Sequence, residues 1–354
     1  MATTIHIVQR MAPGGIESIV LDLARLDPET RVISLEGSRQ SLIESWPSLS
    51  ALGDRLEALA KSDGWQPRIW LALDQLFRQH RPSAVITHHI GPLVYAGIAA
   101  MAAGISRRIH VEHDGWHYAA PRRRLLARMV DRLVAPRRVA VSHVTATQVA
   151  GALGTIGQTV IPNGVDLDRF RPGDSLAARV EFGLPREAFL IGCIGRLERV
   201  KGQDVLIRTL ARLDTRCHLV LAGEGSERAN LEALAKVWGM ADRVTFLGQV
   251  NRPERLYPAF DLFCLPSRAE GFPRSLIEAQ ACGIPVVATD VGGSREAVCP
   301  QTGRLVPSEN EDELAAAITE TLAFGPPSLS PRAFVDPAFS NALMLDRYRA
   351  LTAA

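Results

Sequence analysis

An arginine and a lysine five positions apart, bracketed by glycines, carry the first chemical signal in this chain: Gly195-Arg196-Leu197-Glu198-Arg199-Val200-Lys201-Gly202. The loop follows an apolar run at 189–194 and leads into a segment with helical spacing. Open α/β sheets bind ligands beyond the carboxyl ends of their strands, where helix N-termini offer unpaired N–H groups to anions. A guanidinium fork and an ammonium point charge at such a place suit a diphosphate. Either residue alone reads equally well as a solvated loop charge; the strand-to-helix placement and the two glycines favour the phosphate.

A second segment, Glu270-Gly271-Phe272-Pro273-Arg274-Ser275-Leu276-Ile277-Glu278, sets two carboxylates eight positions apart. With a helix predicted to begin near Pro273, the favoured first helical position, Glu270 stands in the loop before it and Glu278 about a turn and a half inside. One carboxylate then suits sugar hydroxyls and the other a ribose, with free N–H groups around 272–274 facing phosphate. The plainer alternative is an acidic residue favouring the helix dipole plus a solvated helical glutamate.

A third loop, Glu112-His113-Asp114-Gly115-Trp116-His117, ends an N-terminal strand. His113 and His117 stand four apart with two carboxylates nearby, a set a metal could use, yet adjacent loop residues need not converge and no metal site is assigned. His117 packing beside Trp116 and Tyr118 is the simpler reading, and His88 and His89 read as crevice lining at most. A fourth segment, 122–133, carries five arginines and one aspartate around an apolar stripe of Leu126, Met129, Val130 and Leu133. It reads either as an ordinary amphipathic helix with a solvated face or as a surface for anionic lipid headgroups.

The elements that must position these residues alternate. Strands are expected at 5–8, 31–35, 84–87, 109–111, 139–141 and 159–161, with the turn Pro13-Gly14-Gly15 opening a helix after the first and further helices at 68–80 and 93–103. After Pro162-Asn163-Gly164 the pattern restarts, with strands at 189–194, 218–222, 244–247, 262–265 and 285–288 and helices at 204–213, 228–238 and 274–282. Strands alternating with helices imply a parallel sheet covered on both faces, here twice. The stretch 325–331 reads as a connector and 339–351 as a last helix.

At 354 residues the chain suits two domains. Forty basic against 38 acidic residues leave a formal charge of +2, which gives no global drive toward a nucleic acid polymer. Five cysteines, odd in number and without a CxxC pair, read as reduced thiols of a cytoplasmic protein. The N-terminus begins as a strand rather than as a signal peptide, and no apolar run approaches the ~20 residues of a membrane span.

Taken in order and spacing, the Arg-x4-Lys loop, the Glu-x7-Glu segment, Ile161-Pro162-Asn163-Gly164-Val165-Asp166, Gly14-Gly15 and Gly303-Arg304-Leu305-Val306-Pro307 resemble glycosyltransferase family 4, over essentially the whole chain. The resemblance implies a GT-B fold of two facing Rossmann-like domains with a central crevice. The acceptor domain would be 1–163, with the terminal helix at about 335–354 packing back onto it, and the donor domain 164–334. It implies that Arg196 and Lys201 bind the donor diphosphate, that Glu270 holds sugar hydroxyls and Glu278 the ribose, and that the backbone of Gly271, Phe272, Pro273, Arg274 and Ser275 meets phosphate. Gly14 and Gly15 would admit the phosphates, Gly223 and Val250 would flank the nucleotide, and His113 would stand beside the donor sugar and the reaction centre, with Asp114 a lesser candidate for the acceptor hydroxyl.

The reaction implied is retaining and metal-independent, needs no cofactor beyond the nucleotide-sugar donor, UDP- or GDP-linked, and serves a saccharide or lipid-linked acceptor in bacterial polysaccharide or glycolipid synthesis. The place implied is the cytoplasm, with peripheral membrane contact through Arg122–Leu133 as an open possibility. A nucleotide-sugar epimerase and a non-catalytic sugar-nucleotide binding module remain as alternatives. A Rossmann dehydrogenase does not, because no Gly-x-Gly-x-x-Gly follows the first strand.

Overall fold

The computed structural model describes residues 3–155, 157–325 and 328–353, so Pro326 and Pro327 of the expected connector lie outside the described residues. The chain divides into two compact units, Met1–Gly164 with Asn341–Ala354, and Val165–Ser340.

Unit 1 holds a seven-stranded sheet: β1 (Thr4–Val8), β2 (Thr30–Ser34), β3 (Leu56–Ala58), β4 (Ala84–His88), β5 (Arg107–Glu112), β6 (Arg137–Ala140) and β7 (Thr159–Val160), in the order β3-β2-β1-β4-β5-β6-β7. Every pairing is parallel. β1 and β4 are buried along their full length, as strands covered on both faces must be. Helices Gly15–Leu26, Arg68–His80, Pro121–Val134 and His143–Leu153 cover the sheet, joined by the terminal helix Asn341–Ala353. That last helix buries Met344, Leu345 and Tyr348, Tyr348 edge-on to His6 of β1, and its Arg349 pairs with Asp27.

Unit 2 holds six parallel strands: β8 (Phe189–Ile194), β9 (Cys217–Ala222), β10 (Val244–Gly248), β11 (Leu262–Leu265), β12 (Val286–Thr289) and β13 (Arg304–Val306), in the order β10-β9-β8-β11-β12-β13. Ile191, Cys193, Leu219, Leu221, Cys264 and Val287 of the sheet pack with Val205, Leu206, Leu314 and Ile318 of the helices into one core. All five cysteines are buried free thiols.

In each sheet the strand order reverses once, between β1 and β4 and between β8 and β11. Such switch points leave a gap between loops leaving in opposite directions, the place where doubly wound sheets take their ligands. The Arg196–Lys201 loop leaves β8, and the Glu270 segment follows β11.

The helix of the second segment begins at Arg274, as the expected 274–282 span has it, with Pro273 its N-cap rather than its first residue, φ −76° and ψ 104°. The proline ring suits either position because it fixes φ; the extended ψ is what keeps this residue outside the helix. The helix expected at 93–103 begins earlier, at Ile90, and contains a π-turn at Leu93–Gly97.

Candidate active site

In unit 2 the loop after β8 is anchored by Leu197, which is 1% exposed. Its neighbour Arg196 is therefore turned outward; the side chain is exposed and, among the described residues, has no ion-pair partner. Lys201 is turned toward the second segment: its ammonium lies 2.6 Å from Glu270 Oε1, which also accepts a 2.6 Å hydrogen bond from the Ser267 hydroxyl. The Glu270 carboxylate is 7% exposed and the Lys201 side chain 22%. Lysine and glutamate, 69 residues apart in the chain, thus meet across the switch point.

The two loops are stitched together behind this pair. Arg268 donates both guanidinium ends to Asp204, each at 2.8 Å, and its backbone N–H to the Val200 carbonyl at 2.8 Å. Burial acts to raise the Asp204 carboxyl, but the Arg268 and Arg208 guanidinia outweigh it and hold it below its usual value. A fork–fork pair of this kind sets orientation as well as distance.

Glu270 is also clamped from the β12 side. A Cβ on Gly292 would lie 1.7 Å from the Glu270 carbonyl oxygen, and Gly292 has φ +52°, so glycine is required there on both counts. The next residue, Gly293, donates to the Gly271 carbonyl at 3.0 Å. Gly223 is required too: at φ +146° a side chain would stand 2.0 Å from the Gly195 carbonyl oxygen, while its own N–H bonds the Gly248 carbonyl at 2.8 Å. Val250 lies just past β10, half-buried.

Glu278 stands one turn into the helix, between Arg274 at 3.0 Å from Oε1 and the Tyr257 hydroxyl, which donates to Oε2 at 2.9 Å. Burial, then the Glu278 charge, pushes the Tyr257 phenol well above its usual value, so this hydroxyl keeps its proton and remains a donor. Phe272 is buried and packs its ring on Phe339, so its side chain is occupied by the core. Gly271, Pro273 and Ser275 complete the turn into the helix.

Unit 1 carries Gly14, Gly15 and His113. Gly14 is extended, φ −168°, and a Cβ there would meet the Glu17 carboxylate; a Cβ on Gly15 would meet nothing within 4 Å. Packing within the fold therefore places no demand for a glycine at position 15. His113, just past β5, is bonded through Nε2 to His88 Nδ1 at 2.9 Å, with His89 tilted beside it at 5.9 Å between ring centroids. Burial, reinforced by the neighbouring His89, holds the His113 imidazole well below its ordinary pKa. His89 adopts φ +68° at the N-cap of the following helix, the kind of backbone strain that a surrounding structure must hold in place.

Asp114 and His117 pair with each other at 2.6 Å, and the His117 ring lies 3.9 Å from that of Tyr118. Among the described residues no group of three or more His, Cys, Asp or Glu side chains is placed to hold a metal ion.

Sequence reasoning missed Ser267, Tyr257, the Arg268–Asp204 fork and the contribution of His88. Ser267 and His88 had the one signal available, a polar residue at the carboxyl end of a predicted strand. Tyr257 and Asp204 had none, because their partners are distant in sequence.

Comparison with known proteins gives the constellation its context. Residues 13–169 match the model of Glycosyltransferase Family 4, and residues 174–328 that of Glycosyl transferases group 1. Among curated relatives, a D-inositol 3-phosphate glycosyltransferase of Mycobacteroides abscessus is 46% identical over 171 residues, which are 46% of this chain and 38% of the relative. A second, from Catenulispora acidiphila, is 40% identical over 207 residues, 54% of this chain and 48% of the relative. The matched part thus spans less than half the length of these relatives. Among solved structures, Anabaena HepE in complex with UDP and glucose superposes with a TM-score of 0.87 at 22% identity, covering 100% of both chains. The sucrose-phosphate synthase of Thermosynechococcus elongatus does so with a TM-score of 0.80 at 22% identity, covering 99% of each. At that identity the likeness shows the fold, two Rossmann-like parallel-sheet domains of the GT-B type. With both halves matched in order by their family models, the chain belongs to the family 4, group 1 glycosyltransferases.

Proposed function

We propose that this chain transfers a sugar, with retention of anomeric configuration and without a metal ion, from a nucleoside diphosphate donor to an acceptor hydroxyl. The observation that carries the proposal is the Lys201–Glu270 pair at the unit 2 switch point, beside the exposed Arg196 and the N-terminus of the helix Arg274–Ala281. A departing sugar leaves growing negative charge on its diphosphate, so stabilising that charge is the main electrostatic task. Arg196, Lys201 and the N–H groups of 274–275 supply positive potential for it. Glu270 offers hydrogen-bond acceptors to sugar hydroxyls, and Glu278, held by Arg274 and Tyr257, offers the remaining lone pairs of its carboxylate to a ribose.

In unit 1, the family resemblance assigns Gly14 and Gly15 to admitting phosphate and His113 to the sugar and the acceptor. The open space at Gly15 agrees with this, since a ligand would supply the demand for glycine that the fold does not. UDP-glucose is the donor to try first because HepE was solved with it, GDP-sugars second; saccharide and lipid-linked acceptors, including inositol phosphates as in the curated relatives, form the acceptor panel.

Incubation with labelled nucleotide sugars, with and without the acceptor panel, is the test. Acceptor-dependent release of nucleoside diphosphate, a product of unchanged anomeric configuration by NMR, and turnover that survives EDTA are the expected results. Conversion of the donor sugar without acceptor would replace the reading with epimerisation; binding without conversion would make the chain a binding module.

We further propose that helix Pro121–Val134 rests on an anionic bilayer. Among the described residues no helix is long and apolar enough to cross a membrane. The expected stripe of Leu126, Met129, Val130 and Leu133 is corrected by the structure. Val130 faces the core with Ala127 and Val134, and the outward apolar row is Leu125, Leu126, Met129 and Leu133, at 61%, 43%, 60% and 53% exposure. Arg122, Arg123, Arg128 and Arg132 are exposed alongside it. Apolar side chains dip below the headgroups while each nearby arginine adds about 1 kcal/mol of attraction to anionic lipid. Sedimentation with phosphatidylglycerol-containing vesicles should capture the protein and pure phosphatidylcholine should not. Leu125→Ser with Met129→Ser should weaken capture at least about a hundredfold, each losing about 1.5 kcal/mol or more of buried apolar surface. Equal capture by both vesicle types, or by the double variant, would remove the proposal.

A further inference from the structure

Three imidazoles share one face of the unit 1 sheet and step across three adjacent strands toward its carboxyl edge. His6 of β1 is level with Ile86 of β4, and His88, two residues further along β4, is level with Val111 of β5; His113 lies two residues beyond that. The register thus brings each ring against the next. His6 Nδ1 lies 3.0 Å from His88 Nε2, and His88 Nδ1 lies 2.9 Å from His113 Nε2, with stacked centroids 5.3 and 5.2 Å apart.

A neutral imidazole has one N–H and one lone pair. Burial first, then the neighbouring imidazoles in the case of His88 and His113, keeps all three rings neutral well below the ordinary range, His6 down to about 4. Each ring-to-ring contact consumes one N–H and one lone pair, so the chain has two self-consistent states. Either every ring carries its proton on Nδ1, leaving His113 with a donor as its remaining nitrogen, or every ring carries it on Nε2, leaving His113 with an acceptor. A mixed arrangement sets two protons or two lone pairs against each other.

The far end selects between the two. His6 lines a small cavity with Thr4, Asp27, Thr30, Tyr348 and Arg349. The Asp27 carboxylate, which Arg349 approaches to 3.5 Å, acts on His6 in the direction that favours its proton. A carboxylate on this side of the ring favours an N–H over a lone pair on the His6 nitrogen away from His88, Nε2, and that proton fixes the remaining two rings in turn.

We propose that His88 is a positioning residue for His113: through the His6–His88–His113 chain it holds His113 in its Nε2–H tautomer and leaves Nδ1 as a hydrogen-bond acceptor for a sugar or acceptor hydroxyl. Which hydroxyl is served rests on the transferase reading; the tautomer itself does not. Long-range proton–nitrogen NMR of the ¹⁵N-histidine-labelled chain at neutral pH measures it directly, with the His113 signals identified by their loss in His113→Asn. The expected spectrum shows His113 protonated on Nε2. In His88→Leu the same ring should become a mixture of tautomers, and His88→Asn, whose side-chain carbonyl can accept from Nε2–H, should restore the single form. A wild-type His113 protonated on Nδ1 would overturn the proposal, as would an unchanged tautomer in a folded His88→Leu. Should His88→Leu fail to fold, the wild-type tautomer and that of His88→Asn still decide. None of these readouts needs donor or turnover, so failure of the transferase reading would leave them untouched.

Discussion

Replacement of Arg196 or Lys201 by alanine is expected to slow sugar transfer about a hundredfold to a thousandfold, roughly the loss seen when one donor to a developing oxyanion is removed. The two substitutions differ in what else they disturb. Arg196 is exposed and, among the described residues, unpaired, so its removal should leave the denaturation midpoint where it was. Lys201 is paired with Glu270, a carboxylate 7% exposed; its removal leaves Glu270 with the Ser267 hydroxyl and should cost up to about 3 kcal/mol, the upper range for a hydrogen bond to a charged group. Steady-state kcat/KM for both variants, measured beside urea midpoints, separates the chemical loss from the structural one. A folded Arg196→Ala enzyme within twofold of wild type would take Arg196 out of the diphosphate site.

The largest stability effect is expected on the opposite face of the unit 1 sheet. Glu112 and Arg138 pair there at 2% and 4% exposure, Arg138 also reaches Asp131 at 2.9 Å, and the Tyr118 hydroxyl donates to Glu112 at 2.8 Å. Burial pulls the Arg138 guanidinium down to about 10 and pushes the Asp131 carboxyl up to about 6. Arg138→Leu strands two carboxylates without their cation and should cost about 3–5 kcal/mol. Glu112→Leu with Arg138→Leu should cost less than the single change, because one of the two stranded charges is then gone. The pH dependence carries a definite sign: stranded carboxylates have folded pKa values above their unfolded ones, so they destabilise most at neutral pH and the deficit shrinks as pH falls toward 5. Urea denaturation at pH 7.5 and 5 measures both; a double variant as unstable as the single one would mean that lost packing, not stranded charge, dominates.

The sequence was most legible where one physical signal acted alone. β8 and β11 fall where continuous apolar runs placed them, and Arg68–His80 matches its amphipathic period. The helices His143–Leu153 and Glu311–Phe324 went unread: both have weak amphipathic contrast, and their clearest signals are caps, Ser142 to the Thr145 N–H and Asn310 to the Glu313 N–H. The three-residue strands β3 and β13 are too short for a period to show. At the site, the loops were legible because glycine, charge and strand end coincide in a few residues. The imidazole chain and the Arg268–Asp204 fork were not, because register and crossover set those contacts between segments that share no local pattern. The apolar row on Pro121–Val134 was read one residue astray at Val130, since composition alone does not say which side of a broad stripe the sheet will cover.

Unit 1 is discontinuous in the chain and unit 2 is not, and this bears on the order in which they can form during synthesis. Once residue 340 has left the ribosome, unit 2 has every residue it needs, and Val165 can close on the Phe339 carbonyl at 2.8 Å. Unit 1 begins first but must wait, because the face that Met344, Leu345 and Tyr348 cover stays open until the final helix emerges. The N-terminal half is thus the last to be completed. For the length of the intervening 176 residues (165–340), His6 and its neighbours on β1 lack part of their cover, and transiently exposed surface of this kind favours aggregation.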